Sequence, residues 1–157
     1  MKKILLPLLL LTLSPTFSQS TGSFTETVVF DGENRSVHSF VSTDYDASSS
    51  YRLFVGMNGC EQSPIVLRDN LTFLASEKNA IIICPEARAA AGGFLGDSDK
   101  GFIIAAINHF VDIYNIDESE VYLHGFSCNG VTTIDMGLNL EYNFRGIIPL
   151  HPGIWAE

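Results

Sequence analysis

An open, mostly parallel α/β sheet is the fold that this sequence predicts, on three observations. Short apolar runs alternate with stretches whose apolar residues recur at helical spacing, giving the order β-β-β-α-β-α-β-α-β. The run AIIIC at residues 80–84 is continuous rather than alternating, as in a strand buried on both faces of a parallel sheet. The first two strands follow one another directly, with no helix between them, so an antiparallel pair opens the fold.

Taken in order, residues 24–30 and 37–41 alternate apolar and polar side chains and read as a hairpin joined by residues 31–34. The polar stretch DYDASSS at 44–50 is a loop that delivers the chain into a short apolar strand at 51–55. After the loop MNGCEQSP, Val66, Leu67, Leu71, Leu74 and Ala75 mark an amphipathic helix over 65–78. Pro85 ends the buried strand 80–84, and the Ala- and Gly-rich residues 86–98 form a surface loop. A second helix spans about 100–114, with Asp97, Ser98 or Asp99 to cap it and Phe102, Ile103, Ala106, Phe110 and Ile113 along one stripe. Strand 121–123, a helix to residue 140 and a last apolar strand at 146–150 complete the series.

The first residues read as a secretory leader: Lys2 and Lys3, an apolar run over 4–13, then small and polar residues, with cleavage after Ser18. That run is too short for a membrane anchor, which needs about 20 residues. Residues 19–157 then make one domain, and its localisation is secreted or periplasmic. The net charge of −9 becomes more acidic once Lys2 and Lys3 leave, so nucleic acid and anionic membranes are poor partners. Cys60, Cys84 and Cys128 are an odd number, which leaves at least one thiol unpaired in the monomer. Neither a CxxC pair nor a Cys/His ligand spacing occurs, so no metal is expected, and no cofactor motif is present.

Most of the functional information lies in VYLHGFSCNG at 121–130, which reads as a strand driven through a sharp turn that lifts Ser127 to the head of a helix. A serine nucleophile is presented in this way, in the pattern G-x-S-x-G. Gly125 and Ser127 fit. Asn129 stands where the second glycine belongs; Asn tolerates positive φ, but its side chain crowds a place where helix and strand approach.

With FVGMNGCEQSP at 54–64 and GFSCNG at 125–130, the chain resembles the α/β-hydrolase fold, and more narrowly the secreted polyhydroxyalkanoate depolymerase and feruloyl esterase group. The first motif is similar to that group's HGC-type oxyanion loop, with Asn58 in place of histidine; the second is similar to its nucleophile elbow. The resemblance implies an open, mostly parallel hydrolase sheet that stops after about the sixth strand. It also implies a serine-dependent carboxylic ester hydrolase acting on a small-molecule or polymeric ester. Ser127 would be the nucleophile, and the backbone N–H groups of Cys128 and Cys60 would form the oxyanion hole.

The family's acid and histidine follow its seventh and eighth strands, and neither Glu141 nor Glu157 matches such a position. His151 emerges beside Ser127 at the tip of the sixth strand, where a substitute base is conceivable; the plainer reading is a loop histidine. His124 points away from the elbow if its strand alternates, and His38 and His109 lie on the hairpin and a helix. The alternative function is an inactive relic or binding module that keeps the hydrolase pocket. By the resemblance, the third, fourth and fifth strands are neighbours, so Cys60 could bridge to Cys84 or Cys128 and lock the oxyanion loop.

Overall fold

The computed structural model describes residues 19–89, 92–94, 96–139 and 142–153; the leader expected at 1–18 lies outside them. The antiparallel pair is β1 (Gly22–Phe30) and β2 (Glu33–Val41), with Phe30 opposite Glu33. Only Asp31 and Gly32 are left to turn, at φ 54° and 77°. Positive φ at both central residues is the type I′ geometry that matches strand twist, which is why the Asp-Gly pair suffices. The four-residue connection expected from the sequence is thus two residues, with Glu33 and Asn34 already paired.

β3 (Tyr51–Met57) leads into two short helices, α1 (Pro64–Leu71) and α2 (Phe73–Lys78), where the sequence predicts one. The break falls at Thr72, whose hydroxyl and N–H both bond to the Asp69 carbonyl, at 2.9 and 3.4 Å. A side chain that competes in this way for a backbone acceptor interrupts the helical ladder. β4 (Ala80–Pro85) follows, then α3 (Asp97–Ile113). Its N-cap is Gly96 at φ 85°, and none of Asp97, Ser98 or Asp99 caps it. Ser98 bonds instead to Asp31 at 2.9 Å, and buried Asp99 pairs with Arg35 at 3.3 Å. β5 (Ile116–Phe126), α4 (Cys128–Leu138) and β6 (Gly146–Leu150) complete the described fold.

The strands lie in the order β1-β2-β4-β3-β5-β6. β2 is antiparallel to β4, and β4, β3, β5 and β6 run parallel. β4 is buried along its whole length, and its alternation divides the core. Ile81 and Ile83 face the larger cluster with Phe102, Ile103, Ala106, Ile107 and Phe110 of α3. Ala80, Ile82 and Cys84 face Leu67, Leu71 and Leu74 of the α1–α2 layer.

That second layer does not extend across the sheet. An apolar groove lined by Phe54, Leu74, Ala80, Tyr122 and Ile148, with Arg52 and Lys78 on its rim, lies beside α2. Among the described residues β6 pairs on one side only, and Ile148 and Leu150 are 42% and 47% exposed. An unpaired parallel strand beside an apolar face is a template for association. We therefore expect this chain to bind a fluorescent apolar dye in its native state and to self-associate with rising concentration, and Ile148→Lys to reduce both. Light scattering and dye titration check this, and a monodisperse monomer that binds no dye contradicts it.

Candidate active site

β5 ends at Phe126 and α4 begins at Cys128, so the whole reversal rests on Ser127, at φ 55° and ψ −119°. This is a conformation that L-residues rarely adopt, and it costs about 1–3 kcal/mol. Two backbone bonds hold it: the Ser127 N–H donates to Leu150 O at 2.9 Å, and the Gly130 N–H donates to Ser127 O at 2.9 Å.

The flanking glycines are needed for room rather than for φ. A Cβ on Gly125 would lie 2.1 Å from both Asn129 O and Thr133 Oγ1, and one on Gly130 would lie 3.0 Å from Pro152 Cα. Positive φ therefore falls on Ser127, while Asn129 is helical and 1% exposed. Its side chain does not crowd the approach. Its Nδ2 donates to Asn58 O at 2.5 Å and Gly92 O at 2.9 Å, and its Oδ1 accepts the Phe94 N–H at 2.9 Å.

β3 and β5 are parallel neighbours with Met57 opposite Gly125, which brings the loop after β3 against the elbow. Asn58 closes that loop on itself, its Nδ2 donating to Gly59 O and Gln62 O at 2.9 Å each. The Gly59 N–H donates to Gln62 Oε1 at 3.2 Å, and a Cβ on Gly59 would strike Phe126 at 2.7 Å. Cys60 is bonded to Cys128, with Cα atoms 5.9 Å apart, which settles the pairing that the sequence leaves open. The Cys60 N–H donates to Cys128 Sγ at 2.8 Å. Sulfur is a weak acceptor, so an incoming oxyanion could compete for that hydrogen. The Cys128 N–H belongs to the first turn of α4, where donors lack an intrahelical partner. Cys84 is free and fully buried, and burial pushes its thiol up to about 12, so it is inert as a nucleophile.

His151 follows Leu150 at φ 48°, and its ring meets Phe126 edge-on at 6.1 Å, which places it at the same end of the sheet as Ser127. His124 packs on Phe54 at 6.1 Å, and its Nδ1 lies 3.0 Å from Ile148 O, on the face away from the elbow. His38 engages Thr25 and Glu86, and His109 lies 3.6 Å from Glu26. Asp135, on α4, is taken by Lys100 at 2.8 Å; Glu141 and Glu157 lie outside the described residues. Among the described residues no group of three His, Cys, Asp or Glu side chains could hold a metal, and no helix is long and apolar enough to cross a membrane.

No protein-family model matches this chain, and no curated protein sequence matches it. Solved structures do. A thermostable esterase superposes with a TM-score of 0.64 at 19% identity, over 83% of this chain and 41% of that one. A fluorophosphonate-binding serine hydrolase of Staphylococcus aureus gives 0.68 at 15% identity, over 85% and 58%. A ferulic acid esterase gives 0.65 at 14% identity, over 83% and 57%. The fold is therefore of the α/β-hydrolase type, truncated relative to these structures, of whose length the chain spans about half.

Two measurements follow from this geometry. Ser127→Gly, which relieves the unfavourable φ, should raise the unfolding free energy by about 1 kcal/mol in urea titration. Burial holds His124 below its ordinary 6.5, against the opposing hydrogen bond to Ile148. The unfolded chain then takes up a proton that the folded one resists, so stability should fall as pH drops through about 6.5. Urea titrations at successive pH values should show that slope flattened in His124→Gln.

Proposed function

We propose that this chain carries the nucleophile half of a secreted, serine-dependent carboxylic ester hydrolase. The observation that supports the reading best is Ser127, held at φ 55° on the junction of a buried parallel strand and a helix, beside a loop bonded to the next residue. Ser127 Oγ would attack the ester carbonyl and form a tetrahedral intermediate. Its oxyanion would be taken by the backbone N–H groups of Cys128 and Cys60, the latter turning from the Cys128 sulfur. Collapse would release the alcohol, and water would then free the acid from the acyl-serine. The leader expected at 1–18 and the disulfide both suit an exported protein. Substrates of the reading are small or polymeric esters, in keeping with the esterases among the similar structures.

By the resemblance, the acid and histidine would follow a seventh and an eighth strand, and the chain spans about half the length of the similar structures. His151 is the described histidine that shares the end of the sheet with Ser127 and could serve in their place, at low efficiency. The second reading, a binding module that keeps the pocket without turnover, is favoured by the engagement of Asp135 with Lys100 and by the distance of His124 from the elbow face. Hydrolysis of p-nitrophenyl esters by the purified chain decides between them. The esterase reading expects slow turnover that Ser127→Ala lowers by about 100-fold or more. Turnover that survives this substitution removes Ser127 from the mechanism, and no turnover in the unaltered chain favours the binding module.

A further inference from the structure

α4 opens on Ser127, Cys128 and Asn129, and the last two each grip a neighbouring segment. Cys128 is tied covalently to Cys60 in the loop after β3. Asn129 grips that loop at Asn58, and the chain after β4 at Gly92 and Phe94. We propose that Asn129 is a positioning residue, which works with the Cys60–Cys128 bridge as a two-point latch that sets the oxyanion loop against Ser127. The catalytic part of this proposal rests on the serine esterase reading.

One tether alone leaves a loop free to pivot about it, and a second tether a few ångströms away removes that rotation. The bridge is the first. The second is a side-chain amide with both N–H hydrogens donated and its oxygen accepting, to partners 71, 37 and 35 residues away in sequence. The glycine that the elbow pattern expects here would leave two carbonyls and one N–H buried without these partners, and such groups are costly to strand. The network continues beyond Asn129. Asn58 uses its own amide to close the loop at Gly59 and Gln62, and a Cβ on Gly92 would lie 3.0 Å from Asn58 Nδ2. Asn129, Asn58 and Gly92 thus make one connected set of amides and carbonyls behind the Cys60 N–H. Oxyanion donors act within a few tenths of an ångström, and a misplacement of about 1 Å can cost about 100-fold in rate.

Asn129→Gly removes the amide, and Asn129→Asp keeps the acceptor while losing both donors. Thr133→Val, one turn along α4, removes a buried hydroxyl that bonds to Asn129 O and serves as a control for general destabilisation. The first readout needs no turnover. The Cys60–Cys128 bond is equilibrated with dithiothreitol in native buffer, and free thiols are trapped and counted. Without the second tether the two thiols spend less time in register, so Asn129→Gly should be reduced about 10-fold more readily than the unaltered protein or Thr133→Val. The second readout is p-nitrophenyl acetate hydrolysis, where both Asn129 variants should lose about 10-fold in kcat with KM little changed.

A disulfide equilibrium in Asn129→Gly equal to that of Thr133→Val overturns the latch. A shifted equilibrium with unchanged kcat overturns the positioning role. If Ser127→Ala hydrolyses the ester as fast as the unaltered chain, or the chain does not hydrolyse it at all, the esterase reading fails, while the thiol measurement still decides whether Asn129 fastens the loop.

Discussion

The close approach of α4 to the end of β5 at Gly125 is the constraint on which the functional end of this fold depends. There is no room for a single carbon beyond the backbone, since a Cβ would lie 2.1 Å from two atoms of the helix. With that slot open, the helix can start one residue after the strand, and the reversal is forced onto Ser127. Parallel pairing of β3 with β5 then brings the next loop to the same place, because Met57 and Gly125 are opposite. A turn fastened in this way is held at fixed geometry from three segments, and preorganised donors of the kind proposed for this site need such rigidity.

Strain is concentrated where this rigidity is needed. Five non-glycine residues among those described adopt positive φ. Asp31 and Asn79 serve a hairpin turn and a helix C-cap, where such conformations are ordinary. Ser127, Glu61 and His151 instead follow the carboxyl ends of β5, β3 and β6. Unfavourable backbone persists only where the surroundings over-determine it. Here the disulfide, the Asn129 amide and the Leu150 carbonyl supply that determination.

What could be read from the amino acids divides along physical lines. β4 and β6 were legible because a short apolar run bounded by turn residues has few other fates, and the sharp turn at Ser127 was legible because Gly-x-Ser follows such a strand and precedes helix-compatible residues. The first part of β5 was not: Asp117, Glu118, Ser119 and Glu120 fall outside the strand expected at 121–123, and in the fold they bulge between the Ile116–Tyr51 and Val121–Leu53 pairs. The Thr72 break turns on one hydroxyl competing for one carbonyl, a contest that apolar periodicity does not register. Asn129 read as a flaw in a glycine pattern because its partners lie in segments that come together only in the folded chain. Polar residues inside a core are recognised by what satisfies them, and that information is tertiary.

The placement of the third thiol has a consequence for its reactivity. Cys84 is packed between Gly56, Leu67 and Leu71 in the α1–α2 layer, all formed from chain that precedes residue 128. In the folded chain this packing leaves the Cys84 thiol fully buried and unpaired. Cys60, by contrast, lies on an exposed loop and is bonded to Cys128. Apolar packing of β4 thus withdraws one of the three sulfurs from exchange with the other two, whose bond joins the loop after β3 to the head of α4.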